Sequence, residues 1–435
     1  MSALYNAQSR QIDAQLDFYF TGTPVTIDKS NYLISFNLLE ELGKDAEANP
    51  IGDVSANELD IKLFNDNGIF SPSNTESPYY GLMKAGVKVV VKMRASESSD
   101  WDDLGTFYVN DWYAEVTGLQ ASVTCYDKMH SVISSPLPVL PVTKNVLYRD
   151  AFAAFLKALG VQHDVDASIA GAMSWWYALS TSAETLKTLT NASMSAVFCD
   201  RHDTIKVLNT AVTKPVKETL TDGDQIISAS ITQSITRDYD GLDIVVNGAQ
   251  LSDTVTLLDI KEHVINPGTS KSGSVAFTYR PVTRVECAAL DVASTLVDMT
   301  GYTYNTDNIE FSFRNDSSAH LATAIRAYGR VIETVKTTYE KNGTNPLVFD
   351  NAYAQTEDVI KVVRNMLFRF VASQLPVLSL NIRGNPKLLL GDKITVQSTK
   401  YNLLFTGMLQ RASYTYDGSL RCTINLVDSR ILEVI

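Results

Sequence analysis

Two short clusters bring together residue types that could ligate a metal or move a proton. His163-Asp164-Val165-Asp166 sets an imidazole beside two hard carboxylates, and in an extended chain Asp164 and Asp166 point the same way. Two hard ligands without a third are not a cation site, and no third carboxylate is adjacent. The cluster follows Gly160, so it reads as a surface loop. Asp200-Arg201-His202-Asp203 has the composition of a catalytic cluster, but it lies between two short apolar runs, where such residues make a hairpin turn. The other histidines, His130, His263 and His320, form neither a His-x-x-x-His pair nor a His-Glu-x-x-His motif. There is no Gly-x-Ser-x-Gly elbow, no Gly-x-Gly-x-x-Gly and no Walker pattern. Glycoside hydrolysis needs two carboxylates across a cleft, and among 49 acidic residues spacing alone selects no pair. Trp175-Trp176 could stack on a sugar ring, but adjacent large aromatics between two helices are better read as packing. No catalytic, cofactor-binding or metal-binding residue is assigned, and no enzymatic activity is expected.

Composition bounds the rest. The chain has 435 residues, room for three or four domains, with 45 % hydrophobic and 20 % charged residues, as in ordinary globular proteins. Twenty Tyr and sixteen Phe lean towards β structure. The formal net charge is −12 and the lysines and arginines are scattered, which argues against a nucleic-acid-binding stripe. Cys125, Cys199, Cys287 and Cys422 are far apart, so they read as buried free thiols rather than a disulfide framework or a zinc site. The first twenty residues lack the apolar core of a signal peptide, and no apolar run is long enough to span a membrane. Folding in a reducing cytoplasm is expected.

The elements follow from periodicity. Glu58–Phe64 alternates, with Leu59, Ile61 and Leu63 on one face, and Asn65-Asp66-Asn67-Gly68 must turn the chain. Val87–Met93, Leu104–Trp112 and Gln120–Tyr126 continue the pattern, and Gln15–Phe20 and Asn31–Glu40 precede it, the latter with Ile34, Phe36 and Leu38 on one face. Short strands this close together predict an antiparallel barrel. Ser135–Pro141 carries three prolines and reads as an extended linker. Beyond it, Tyr148–Leu159 has a helical stripe stopped by Gly160, and Thr181-Ser182-Ala183-Glu184 opens a second helix, Ala183–Ser193. Ser195–Cys199 and Thr204–Leu208 form a hairpin. Strands are expected at Asp224–Thr236, at Asp243–Val246 and on either side of the Pro-Gly turn within His263–Phe277. Cys287–Met299 fits a helix or a strand, and Ala322–Tyr339 reads as two strands joined near Gly329. Thr356 can cap a helix to about Ala372, followed by strands at Val377–Ile382, Leu403–Ser413 and Leu420–Val427. The predicted organisation is residues 1–135, a β-barrel; 142–212, a small α/β module; 213–350, a β-rich region; and 351–435, a helix and a second barrel. No internal repeat is visible in the residues.

One stretch, Asn49 to Trp112 and on through Gln120–Tyr126, also carries a family look. Its ANELDI, the NG turn, FSPSN, SPY, LGTFYV and the VTCYDK that follows, together with Gly384-Asn385-Pro386 and Gly391-Asp392-Lys393-Ile394 near the other end, resemble the structural region of bacteriophage tail hub and baseplate hub proteins. The resemblance implies a mainly β, α+β fold with two tail-tube-like barrels, a small α/β insertion and a further β domain. It implies a structural virion protein, a homotrimer whose two barrels per chain continue a six-fold tube down to a three-fold spike or fibre. Implied partners are a tail tube or distal tail ring protein, the central spike or fibre and the tape measure protein, with genomic DNA passing through the lumen unbound. The acidic balance suits such a conduit, though keeping the protein soluble is the simpler reading. The expected place is the distal tail tip of the virion, after synthesis in the host cytoplasm. Ile435 follows the second barrel closely, so no separate cell-wall-cleaving domain is expected. Two alternatives stand beside this: a tail-tip enzyme or adhesin acting on surface glycan, and the hub of a phage-derived injection machine.

Overall fold

The structure, a computed structural model, describes residues 11–43, 52–115, 118–222, 226–231, 239–278, 280–292, 295–298, 302–304, 307–314, 321–372, 377–400 and 402–432. It is mainly β with a few helices, as expected. The first half contributes β1 (Leu33–Glu41), β2 (Glu58–Phe64), β3 (Lys88–Ala95), β4 (Asp102–Ala114) and β5 (Gln120–Tyr126). The second half contributes β6 (Ile226–Ile231), β7 (Val377–Ile382), β8 (Lys393–Ser398), β9 (Leu403–Tyr416) and β10 (Leu420–Asp428).

These are two copies of one pairing scheme. β1 meets β2 with Phe36 opposite Ile61 and Asn37 opposite Asp60, then slips by one residue between Leu33 and Ser35. β6 meets β7 with Ala229 opposite Leu380 and Ser230 opposite Ser379, and slips in the same way between Ile226 and Ser228. β4 pairs with β3 through its first half and with β5 through its second, leaving Asn110 over; β9 treats β8 and β10 alike and leaves Gln410 over. Even the loop hydrogen bonds repeat. The Gly86 amide donates to Val109 and the Val109 amide to Val87, while the Gly391 amide donates to Leu409 and the Leu409 amide to Asp392. Gly86 and Gly391 both have left-handed backbone, φ 84° and 81°, which an L side chain would resist. Asp127 ends one copy by capping the helix α1 (Lys128–Ser134), and Asp428 ends the other by accepting from the Arg430 amide ahead of the short helix Ser429–Leu432.

The copies keep geometry where residues differ. A Cβ on Gly105 would come within 2.7 Å of the Phe107 ring, and one on Gly407 within 2.7 Å of the Phe405 ring. By register, 105 matches 405 and 107 matches 407. Glycine and phenylalanine have changed places, and in both copies the ring lies over bare backbone two residues away on the same face.

The two copies share one sheet, because β9 pairs with β1 from Arg411 opposite Glu41 to Tyr416 opposite Phe36. One apolar cluster fills both, from Leu59, Ile61 and Leu63 to Leu380, Tyr414 and Ile424. A second lies under α2 (Tyr148–Ala158), α3 (Ser182–Ser193) and α4 (Glu357–Ala372), where Phe152, Phe155, Leu189, Ile360, Val363 and Phe370 are buried. A third, smaller cluster joins Leu257, Phe277, Phe311 and Val331.

Two expectations about strands are corrected, and one left open is decided. Ile34 does not share the inner face with Phe36 and Leu38: the slip at Leu33/Ser35 turns Leu33 inward and leaves Ile34 36 % exposed. The segment from Cys287 is strand, within Val282–Val292, which hairpins onto Thr295–Asp298; the side chain of Cys287 lies outside what is described. Leu321–Lys341 is a single strand rather than two, running through Gly329. The glycine is needed for close approach, not for a turn, since a Cβ there would sit 2.1 Å from the Arg284 carbonyl oxygen. Gly329→Val is expected to cost about 1–3 kcal/mol by overpacking, read as a lower midpoint of denaturant unfolding. Residues 223–225 and 232–236 of the expected strand Asp224–Thr236 lie outside the described residues.

Candidate functional site

The clusters that looked chemical serve the fold. The cluster is not the expected surface loop: His163 lies in the strand His163–Val165, which pairs in parallel with the strand Ile205–Asn209, and its Nδ1 is 2.9 Å from the Val161 carbonyl. Asp164 pairs with Lys206 at 2.7 Å. Asp166 accepts from the Ser168 amide and hydroxyl and from the Asn209 amide. Burial works against its charge, but those hydrogen bonds and nearby Lys214 outweigh it and hold its pKa below the ordinary value. No group of three or more potential ligands converges among the described residues. Trp176 is buried against Phe155 and Tyr353. The backbone of Trp175 is clamped by Gln355 while Lys144 covers its ring at 5.6 Å.

Asp200–Asp203 is a turn, as expected: Asp200 accepts from the His202 and Thr204 amides, and Asp203 takes φ 65°. Composition did not reveal what the turn does with Arg201. Its buried guanidinium grips both oxygens of buried Glu40 at 2.8 and 2.6 Å. It also donates to the carbonyls of Pro386 and Leu388 and stands 5.8 Å from the Tyr414 ring centroid. Burial alone would lower the pKa of Arg201, but Glu40 and Tyr414 more than reverse that. One side chain of the α/β module thus holds β1 of the first copy to the Asn385–Leu388 loop and β9 of the second. Next to it, Glu41 accepts from Ser55 at 2.5 Å and faces Arg411 at 3.7 Å, Asn57 donates to the Cys199 carbonyl, and the Leu42 amide donates to Gln410. The only sequence signal was a pair of glutamates ending an apolar strand.

This clamp fixes a surface. In the order β6-β7-β10-β9-β1-β2-β5-β4, eight strands run side by side across both copies. One face is the apolar core. On the other, register lines up rows of facing residues: Ser230, Ser379, Asn425 and Arg411; Ser228, Asn381, Thr423 and Ser413; Arg421, Thr415, Asn37, Asp60, Thr124 and Asp111. The face is dominated by Ser, Thr and Asn, several bonded to one another, as in Thr423 to Asn381 at 2.7 Å and Asn381 to Ser228 at 2.9 Å. Its charges are of both signs, and Arg411 and Arg421 are each paired with a carboxylate. Among its described residues, this broad polar surface carries no stripe of lysines and arginines.

No family model matches the chain, and no curated protein matches it in sequence. Solved structures do match. The 43 kDa tail protein of prophage MuSo2 from Shewanella oneidensis superposes with a TM-score of 0.55 at 10 % identity, over 97 % of this chain and 100 % of that one. The tail protein from Neisseria meningitidis MC58 gives 0.53 at 9 % identity, over 97 % and 98 %. The resemblance read from ANELDI through VTCYDK therefore has a counterpart in three dimensions: this chain has the fold of phage tail proteins.

Proposed function

We propose that the protein is a structural component of a phage tail tip: a hub in which three copies close a ring around a DNA conduit. The observation that carries this reading is the internal repeat. Two equivalent units share one sheet within a chain, so three chains present six equivalent units, which is what joining a six-fold tube to a three-fold spike or fibre requires. The tail-tube or distal ring protein would meet the six units, and the spike or fibre the three-fold parts. The Ser, Thr and Asn face would line the lumen. Phosphates bind through clustered Lys and Arg, and a face without such a cluster lets DNA slide.

A density map of the particle tests the placement. A ring at the distal end of the tail tube is expected, and a peripheral position would overturn the reading. The lining has its own test. Ser122, Asn37 and Thr423 are exposed on the polar face. Changing all three to lysine should create salt-sensitive DNA binding in a protein that otherwise has none. The log–log salt slope should steepen by about one per lysine that reaches a phosphate. Particles carrying the variant should eject DNA more slowly.

A further inference from the structure

Two acids meet without a cation where the α/β module joins the first unit. Asp127 stands between β5 and α1, buried, and Asp203 closes the turn that carries Arg201. Asp127 Oδ1 accepts from the Met129 amide at 2.9 Å, and Asp203 Oδ2 accepts from the Tyr108 hydroxyl at 2.6 Å. The other oxygen of each, Asp127 Oδ2 and Asp203 Oδ1, is buried with no hydrogen-bond partner. Two orphaned acceptors on acids near enough to repel each other point to a donor that both share. The groups around them do not supply it. The Lys128 ammonium lies over the Tyr108 ring, 5.5 Å from its centroid, and the His130 ring is stacked on Tyr126. Asp200 accepts from the His202 and Thr204 amides and faces Lys206 at 3.8 Å. The buried Cys199 thiol points to the Asp200 carbonyl at 3.5 Å. Burial, then Asp127 and Asp203, push that thiol up, and burial and Asp203 push up the Tyr108 hydroxyl, so both keep their protons at neutral pH.

We infer that Asp127 and Asp203 bind one proton between them: Asp127 Oδ2–H donates to Asp203 Oδ1, and this bond latches the Arg201 turn to the end of the first unit. One proton satisfies both orphaned oxygens and removes the repulsion between the acids. Tyr108 extends the line, so that β4, the turn and the cap of α1 are tied by two consecutive hydrogen bonds. A bond from an acid to a carboxylate is among the stronger kinds. It is also conditional. Burial above all raises the Asp127 carboxyl to about 8. A carboxyl raised by folding favours the native contact while it is protonated. The latch is therefore closed in acid, weakens as pH rises above the ordinary value near 3.8, and is lost through about 8. There the proton leaves to water and two like charges remain in the joint. The latch does not depend on the proposed hub.

Hydrogen exchange of the whole chain, read by mass spectrometry, tests it. The His202, Asp203 and Thr204 amides all donate to Asp200, so their exchange reports opening of the turn. Corrected for the pH dependence of intrinsic exchange, their protection should fall about tenfold per pH unit between about pH 5 and pH 8, as release of one proton requires. Asp127→Asn and Asp203→Asn should each flatten that slope, because an amide N–H takes the place of the proton. Asparagine caps helices well and tolerates the φ of 65° at position 203, and circular dichroism checks both folds. A wild-type slope kept in Asp203→Asn would show that Asp127 takes its proton alone and would overturn the shared bond. A flat slope in the wild-type protein would overturn proton binding altogether. Infrared spectroscopy of the wild-type protein gives a reading that needs no variant. A carboxylic-acid C=O band should be present at about pH 6, where ordinary carboxyls are ionised, and gone at about pH 9. Its absence at the lower pH overturns the inference.

Discussion

Arg201→Ala will lower the stability of the protein by about 3–5 kcal/mol, the range for removing one partner of a buried ion pair. The loss comes less from the missing attraction than from what remains. Glu40 is left in a buried site without its cation, and the Pro386 and Leu388 carbonyls lose the donor that now satisfies them. Arg201→Lys will rescue little, because one ammonium cannot reach both Glu40 oxygens and two carbonyls from a planar fork. The double variant Glu40→Gln, Arg201→Met should recover part of the loss, since it removes both charges together. Urea unfolding followed by tryptophan fluorescence measures all three. A cost for Arg201→Ala below about 1 kcal/mol would show that the clamp does not hold the two units together.

The second large effect concerns pH. Asp127 and Asp428 occupy equivalent positions at the ends of β5 and β10. Asp428 has the Arg430 guanidinium against its carboxylate. The residue that matches Arg430 in the first unit is Met129, which is apolar and buried. Without a cation, burial pushes Asp127 up to about 8. Its bonds from the Met129 and His130 backbone and from Asn57 pull the other way, and Asp203 adds repulsion. Its Oδ2 and the Asp203 Oδ1 are both buried without a hydrogen-bond partner. A carboxyl whose pKa is raised by folding favours the native state while it is protonated. That contribution is fully present below the ordinary value near 3.8 and is lost as pH rises through about 8. Asp127→Asn stays neutral and remains a good helix cap. The wild-type protein should therefore lose stability relative to this variant between pH 4 and pH 8, by about 2–3 kcal/mol across the window. Thermal unfolding at stepped pH checks it, and parallel curves for the two proteins would show that Asp127 is ionised throughout.

How much of this could be read in the residues differs element by element. Leu59, Ile61 and Leu63 announced an inner face because alternation over a strand is a local property. The cap at Thr181, the stop at Gly160 and the turn through Asn67-Gly68 were legible for the same reason: each depends on a residue type that tolerates one backbone shape. Gly329 was misread because the same residue suits a turn and a close approach, and only the Arg284 carbonyl facing it distinguishes them. Ile34 was misplaced because a one-residue slip leaves no mark in a row of apolar residues. Arg201 looked like turn chemistry because Glu40, Pro386 and Leu388 are far away in sequence.

The repeat is the clearest case. Gly86 and Gly391, Lys88 and Lys393, Thr106 and Thr406, and Asp127 and Asp428 coincide, but they are too sparse to stand out, and the Gly105/Phe107 pair returns inverted as Phe405/Gly407. Residue types settled where this chain extends, coils and turns, because those choices are made within a few positions. How its two ends join, edge to edge through β9 and β1, was settled by folding alone. A hydrogen-bonded register belongs to the backbone, which every residue shares, and so many side chains can satisfy it without resembling one another.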